Sequence, residues 1–198
     1  LFAKHVMPDP LVGLVVGMAT AALLGALSSV LVMRGSDLAR LMITLGVAAI
    51  LYELANKLEF TGGADGLQGV SMGSLLGRFE FDLYGRTAFA YSLVLLVIGL
   101  LIARRIVASP FGWSLRAIRD NRLRAAAIGL NVDVRLGAVY TIAAAMAGTS
   151  GALLAQTTGF ASLDVLDFHR SADVMLMLII GGTGWLWGGV LGAIGDRK

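Results

Sequence analysis

Apolar runs long enough to cross a bilayer alternate with short polar segments along this chain. The first run, residues 11–33, contains no charged side chain, and about 20 helical residues are enough to cross a hydrocarbon core. Similar runs at residues 38–58, 87–103 and 136–160 predict further spans. Another run begins at Val174 and meets a glycine cluster. The pattern predicts an all-α, polytopic transmembrane helical bundle with about five spans.

Small residues recur at every fourth position in two of these runs. This spacing lets membrane helices approach each other closely, and we expect both faces to serve in helix packing. The positions are Gly13, Gly17, Ala21 and Gly25 in the first run, and Ala144, Gly148 and Ala152 in the fourth.

A basic polar segment, residues 104–135, interrupts the apolar pattern. It contains seven arginines and only two acidic residues, Asp120 and Asp133. Loops that stay on the cytoplasmic side of a membrane carry this excess of basic residues. We therefore predict that the segment, called here the arginine-rich loop, is cytoplasmic.

Within the arginine-rich loop, the sequence predicts two short helices separated by a break. Ser109 and Pro110 favour a helix start, because serine caps free amides and proline is tolerated at the first helical position. Asp120–Asn121 can end that helix and cap the next, which stops at Gly129. An apolar stripe on the first helix is formed by Phe111, Leu115 and Ile118.

Two interpretations of the arginine-rich loop remain open at this point. An amphipathic loop can lie on the lipid surface, where its arginines attract anionic headgroups. Alternatively, the apolar stripe can dock into a soluble partner. The pattern of residues does not separate these two possibilities.

Composition narrows the class of protein. The chain is 57% hydrophobic and 15% charged, whereas soluble domains have about 25% charged residues. It has no cysteine and two histidines, which excludes disulfides and argues against a metal centre. Neither of the glycine-rich motifs that bind nucleotide phosphates, G-x-x-x-x-G-K-[ST] and G-x-G-x-x-G, is present, so we expect no nucleotide cofactor on this chain.

Because the chain begins at Leu1 and its last apolar run stops at Asp196, we expect a fragment of a longer protein.

One enzymatic motif matches by spacing. The segment Gly69–Gly73 fits the G-x-S-x-G pattern of a nucleophile elbow around Ser71, and His169 falls on the same predicted side of the membrane. The elbow requires a strand before the serine and a helix after it, whereas Ser71 follows a run of predicted turns. Because this context does not fit, an intramembrane serine hydrolase that uses Ser71 and His169 is kept only as an alternative to a transport function. A membrane scaffold without transport is a third possibility.

The glycine cluster in the last apolar run lies at residues 181–189. It predicts a helix that breaks or bends. Broken backbone at membrane depth is tolerated only against protein or a water-filled path, so the cluster is a candidate for a translocation path. Close helix packing is the competing interpretation.

Several segments, in order along nearly the whole chain, resemble the LivM-type permease subunits of bacterial branched-chain amino acid ABC transporters. Together they predict one permease domain over residues 1–198, with the arginine-rich loop inside it. The matching segments are Arg34-Gly35, Thr44–Gly46, Thr61–Leu67, Ser109–Gly112, Leu115–Asn121, Gly129–Val132, Ala147-Gly148, Gly151–Leu153, Leu178–Gly184 and Leu186–Gly188.

The resemblance implies a multi-pass protein of the bacterial inner membrane that imports branched-chain amino acids or related small polar solutes. Its expected partners are a homologous second permease subunit, cytoplasmic ATPase subunits that bind the ATP, and a periplasmic solute-binding protein; no nucleic acid is expected. The family typically has glutamate at the positions of Arg122 and Ala126, so specific acidic contacts to the ATPase are not carried over.

The resemblance also implies roles for two groups of residues, and the glycine cluster in the last apolar run supplies a third candidate group. The candidate ATPase-coupling residues are Phe111, Leu115, Ile118, Arg119, Asp120, Asn121 and Gly129. The candidate translocation path comprises Gly181, Gly182, Thr183 and Gly184. The loop expected to face the periplasmic binding protein contains Thr61, Gly62, Gly63, Asp65 and Gly66.

Overall fold

The computed structural model describes residues 9–33, 35, 37–57, 67–68, 86–161, 168–182, 184 and 186–195 of the 198. Helices form most of this part of the chain, and one pair of very short strands accompanies them. The elements in order are α1 (Pro10–Met33), α2 (Asp37–Lys57), β1 (Leu67–Gln68), α3 (Arg86–Val107), α4 (Pro110–Asp120), α5 (Arg122–Ala127), α6 (Val132–Thr158), β2 (Phe160–Ala161), α7 (Phe168–Gly181) and α8 (Gly188–Gly195).

Four helices in the described part of the chain, α1, α2, α3 and α6, are long and apolar enough to cross a membrane. The predicted all-α, polytopic fold is confirmed. The last predicted span differs, because α7 has 14 residues, or about 21 Å of helix, and the hydrocarbon core is about 30 Å thick. The helix ends where Gly182 adopts a left-handed φ of 91°.

The α1–α6 seam is the most closely packed interface between the spans, and its two helices run antiparallel. A Cβ added at Gly17 would lie 3.0 Å from the Ala152 Cβ. A Cβ added at Gly148 would meet the Ala21 side chain and would lie 2.7 Å from the Gly17 carbonyl oxygen. Both predicted small-residue faces are therefore confirmed as packing surfaces, and they pack against each other.

Helix α3 packs differently. It touches α6 sparsely, and an apolar groove of about 780 Å³ separates it from α1 and α6 over much of its length. Leu14 of α1, Leu96 of α3 and Met146 of α6 are among the side chains that line this groove. The bundle thus combines one seam of backbone contacts with one helix that stands partly apart.

The strands β1 and β2 pair antiparallel, with Leu67 opposite Ala161 and Gln68 opposite Phe160. Turns were predicted around β1, so this pairing was not expected. Gly159 makes it possible, because its left-handed φ of 65° ends α6 and redirects the chain into β2. The pairing connects two loops that the predicted topology places on the same side of the membrane.

Candidate functional site: the arginine-rich loop

Helix α4 begins directly after α3 through a tight, capped turn. The Ser109 Oγ accepts a hydrogen bond from the Gly112 amide at 3.3 Å, and Pro110 occupies the first helical turn. A side chain at Gly112 would collide with the carbonyl oxygens of Ile106 and Val107. The predicted helix start is confirmed, and the missing side chain at Gly112 lets α4 fold back onto the end of α3.

Asn121 separates the two helices of the loop, as predicted. Its backbone is extended, its amide donates to the Ala117 carbonyl at 3.1 Å, and its side-chain Oδ1 accepts from the Arg124 amide at 2.9 Å. One residue therefore ends α4 and caps α5. This arrangement fixes the angle between the helices through hydrogen bonds that need no partner protein.

Gly129 ends the second helical segment in the left-handed conformation, with a φ of 87°. The Gly129 amide donates to the Ala126 carbonyl at 3.0 Å, and the Leu130 amide donates to the Ala125 carbonyl at 3.1 Å. This pair of bonds is the Schellman motif, which satisfies the last free carbonyls of a helix. The predicted conformation of Gly129 is confirmed.

A small apolar core holds the arginine-rich loop together. Ile118 of α4, Ala125 of α5 and Val132 of α6 are all buried and form one cluster, against which Leu130 and Leu136 pack. This corrects the sequence interpretation of the apolar stripe, which offered Ile118 to a partner. The α4–α5 break folds the stripe back onto its own chain, so Ile118 is 6% exposed, and Phe111 and Leu115 are half-buried.

Two polar contacts tie the loop to the first turns of α6. The Arg135 Nη1 donates to the Ser114 Oγ at 2.6 Å. The Arg122 Nη2 lies 2.6 Å from the Asp133 Oδ1, and both side chains are substantially exposed. Exposed ion pairs contribute little stability, so the Arg122–Asp133 pair mainly orients its two side chains. The predicted coupling residues Arg119 and Asp120 are exposed.

The loop presents large apolar side chains that the sequence interpretation missed. Trp113 is 63% exposed, Leu123 is 84% exposed and Ile128 is 70% exposed. The Arg116 guanidinium lies over the Trp113 ring, 4.8 Å from its centroid. The exposure of Leu123 follows from the burial of Ala125, because Leu123 lies two positions away, about 200° around the helix, and so points outward.

The glycine cluster at residues 181–189 contains a break and a packing contact on different residues. Gly182 carries the left-handed break, and neither Gly182 nor Gly184 would bring an added Cβ within 4 Å of a neighbouring atom. A Cβ on Gly188 would collide with the Gly182 carbonyl oxygen, and one on Gly192 would collide with the Met177 carbonyl oxygen. Helix α8 therefore returns along α7 in backbone contact. Gly181 ends α7 at this contact, and Thr183 lies outside the described residues.

The other sequence candidates are not brought together with the arginine-rich loop. Thr61, Gly62, Gly63, Asp65 and Gly66 lie outside the described residues. So does Ser71, whereas His169 is exposed in the first turn of α7. No group of three or more potential metal ligands occurs among the residues that the structure describes.

Four candidate spans and a self-supporting basic loop define a multi-pass membrane protein. The chain belongs to the family described as branched-chain amino acid transport system / permease component, whose model matches residues 1–195. No finding supports the serine hydrolase alternative.

Two curated relatives carry the name high-affinity branched-chain amino acid transport system permease protein LivM. The protein from Salmonella typhimurium strain LT2 is 32% identical over 93% of this chain and 48% of its own length. The protein from Escherichia coli strain K12 is 30% identical over 83% of this chain and 44% of its own length. The chain thus spans about half the length of these relatives. No solved structure matches it.

Proposed function

We propose that this chain is part of the permease subunit of an ABC importer in the bacterial inner membrane. It moves branched-chain amino acids, or closely related small polar solutes, by alternating access. A second, homologous permease subunit completes the pathway, separate cytoplasmic ATPase subunits bind ATP, and a periplasmic protein delivers the solute. Membership of the permease family over residues 1–195 carries this proposal.

The arginine-rich loop is the proposed docking element for the ATPase. Its caps and its apolar core hold two short helices in a fixed arrangement, while Trp113, Leu123 and Ile128 are exposed. Aromatic and aliphatic side chains that enter a desolvated pocket commonly dominate binding. These three residues therefore replace Ile118 as the proposed anchors, and the half-buried Phe111 and Leu115 stay proposed coupling residues.

The break after α7 is the proposed part of the translocation path. Gly181, Gly182 and Gly184 lie at or beside the end of α7, and Gly182 has open space where a side chain would point. Thr183 belongs to the proposed path by its position in the sequence. Backbone groups released by a break at membrane depth need protein or water as partners. A water-filled path for a polar solute, lined by protein, provides both kinds of partner. The loop at residues 61–66 is proposed to face the binding protein.

Uptake by reconstituted complexes tests the transport proposal. Proteoliposomes containing the assembled transporter and its binding protein should accumulate leucine, isoleucine or valine only with internal or external ATP supplied to the ATPase side. Omission of the permease protein should abolish this uptake. ATP hydrolysis without accumulation of any branched-chain amino acid would overturn the substrate assignment.

Two glycine variants test the path assignment. Gly182→Leu should reduce uptake strongly, because a leucine at a φ of 91° strains the backbone of the break itself. The complex should still assemble, because no neighbouring atom lies within 4 Å of the added Cβ and the α7–α8 contacts at Gly188 and Gly192 are not changed. Gly188→Leu should instead impair assembly, because it would force α8 away from α7. Normal uptake with Gly182→Leu would contradict a role for this break in the path.

A further inference from the structure

A buried polar cluster joins three helices at the end of the bundle away from the arginine-rich loop, called here the distal end. The Tyr91 Oη of α3 donates a hydrogen bond to the Gln156 Oε1 of α6 at 3.2 Å. The Gln156 Nε2 donates to the Pro10 carbonyl of α1 at 2.7 Å. Gln156 is 6% exposed and Tyr91 is 9% exposed. Polar side chains buried in membrane spans are costly, so each needs a partner or a function.

The two hydrogen bonds do not have equal structural importance. Helices α1 and α6 are already in contact along the seam, where Gly17 and Gly148 bring their backbones together. Among the described residues, helix α3 makes no comparable seam, and it lies across the apolar groove from α6. The Tyr91–Gln156 bond therefore supplies a specific connection at the place where α3 lacks extensive packing.

Helix α3 is also tied near its other end, but through a different route. It leads directly into α4, where Ser114 accepts a hydrogen bond from Arg135 of α6. Between these two polar connections, mainly apolar side chains line the gap. A helix fixed at both ends and loosely packed between them can separate at one end while the other end holds.

The position of the distal connection suits reversible opening. Tyr91 lies five residues after the start of α3, about 7.5 Å along the helix, and Gln156 lies about 3 Å before the end of α6. Both groups are therefore near the bilayer surface. Water can replace the Tyr91–Gln156 bond when α3 moves outward, which keeps the cost of breaking it small compared with a bond at the bilayer centre.

We propose that the Tyr91–Gln156 hydrogen bond is a latch that holds α3 against the α1–α6 seam when the distal side is closed. The latch opens when the distal ends of the spans separate for solute entry. The inference rests on the proposed transport function. Its physical content, a distal separation controlled by the Tyr91–Gln156 hydrogen bond, can be measured without solute or ATP.

Spin-label distances across α3 and α6 test the latch, because the chain has no cysteine of its own. Phe89→Cys and Leu154→Cys place labels on exposed positions near the distal end. Ile102→Cys and Ala143→Cys place a second pair nearer the arginine-rich loop, also on exposed positions. Distances are measured in nanodiscs on the complex assembled with cysteine-free partner subunits.

Tyr91→Phe removes the donating hydroxyl and keeps the ring and the Gln156–Pro10 bond. We expect the population with a longer distal distance to rise roughly two- to tenfold, the factor that corresponds to loss of one hydrogen bond, with the second distance unchanged. Gln156→Met should act similarly, and the double variant should add little. Ser92→Ala is the matched control. Within the described part of the chain, the Ser92 hydroxyl donates to the Ala88 carbonyl of its own helix, so its removal should leave both distances unchanged.

Unchanged distances in Tyr91→Phe would overturn the latch. Equal widening of both label pairs, or widening in Ser92→Ala, would also overturn it, because either result means general loosening of the bundle. Failure of the transport proposal would look different: the distal distance would still respond to Tyr91→Phe, while no solute accumulated.

Discussion

Exposed leucines have different consequences on helix α1, outside its seam with α6, and in the arginine-rich loop. Helix α1 turns its small residues toward α6 and leaves Leu23 and Leu27 each 62% exposed. The loop leaves Leu123 84% exposed beside arginines. In a span, lipid covers such a residue without a protein partner, because lipid tails are as apolar as leucine. In a loop outside the hydrocarbon core, the same exposure is unfavourable unless a partner or the lipid surface covers it.

The two regions also obtain their order from different sources. The seam depends on the absence of side chains, since helices approach until carbonyl groups touch neighbouring backbone. The loop depends on hydrogen-bonded caps at Ser109, Asn121 and Gly129 around a small core. Added volume should therefore damage the seam most, whereas altered backbone preference should damage the loop most.

The largest effect is expected in the seam. Gly148→Leu would drive a side chain into Ala21 and the Gly17 backbone, and overpacking of this kind costs about 3 kcal/mol. We expect loss of most folded protein, measured as the monodisperse fraction after detergent extraction and heating. Gly151→Leu is the control on the same helix, because no atom lies within 4 Å of its added Cβ. Equal loss in both variants would contradict the importance of close packing.

A smaller effect is expected at the end of α5. Gly129→Val places a β-branched residue at a φ of 87°, which costs about 1–2 kcal/mol. We expect faster proteolysis within the arginine-rich loop and an intact seam. Gly129→Asn is the control, since asparagine tolerates the left-handed conformation. If valine and asparagine behave alike, backbone conformation does not determine the order of the loop.

The smallest effect is expected for the exposed ion pair. Asp133→Asn removes the charge opposite Arg122, and exposed pairs contribute about 0–1 kcal/mol. Thermal stability should change little, and the small change should disappear at high salt. Ser114→Ala, which removes the buried acceptor of Arg135, should destabilise the loop more. A larger loss for Asp133→Asn than for Ser114→Ala would reverse this ranking.

Sequence periodicity identified the parts of the fold that obey local rules. Small residues at every fourth position predicted the two packing faces, although not that they pack against each other. Residues with strong capping preferences predicted the boundaries of α4 and the end of the helix before Gly129. The inward turn of Ile118 was missed, because it depends on the angle at which α5 and α6 return against α4. An apolar stripe in a sequence does not reveal whether the residues that bury it belong to the same chain or to a partner protein.

The distal cluster was missed for a related reason. Tyr91 and Gln156 are 65 positions apart, and Pro10 is 146 positions from Gln156. No local pattern connects them. The final run was predicted as one crossing with a helix that breaks or bends at the glycine cluster. The break is present at Gly182, but the backbone contact at Gly188 makes the chain reverse there instead of continuing across the membrane.

Co-purification of the ATPase tests the central claim, that the exposed apolar residues of the arginine-rich loop bind a cytoplasmic subunit. Trp113→Ala and Leu123→Ala are compared with Leu23→Ala and Leu27→Ala, which alter exposed leucines in α1. We predict that each loop variant reduces the bound ATPase about thirtyfold, as loss of roughly 2 kcal/mol at an interface anchor requires, while the α1 variants retain it. Full retention of the ATPase by both loop variants would contradict the claim and would favour a loop that rests on the lipid surface.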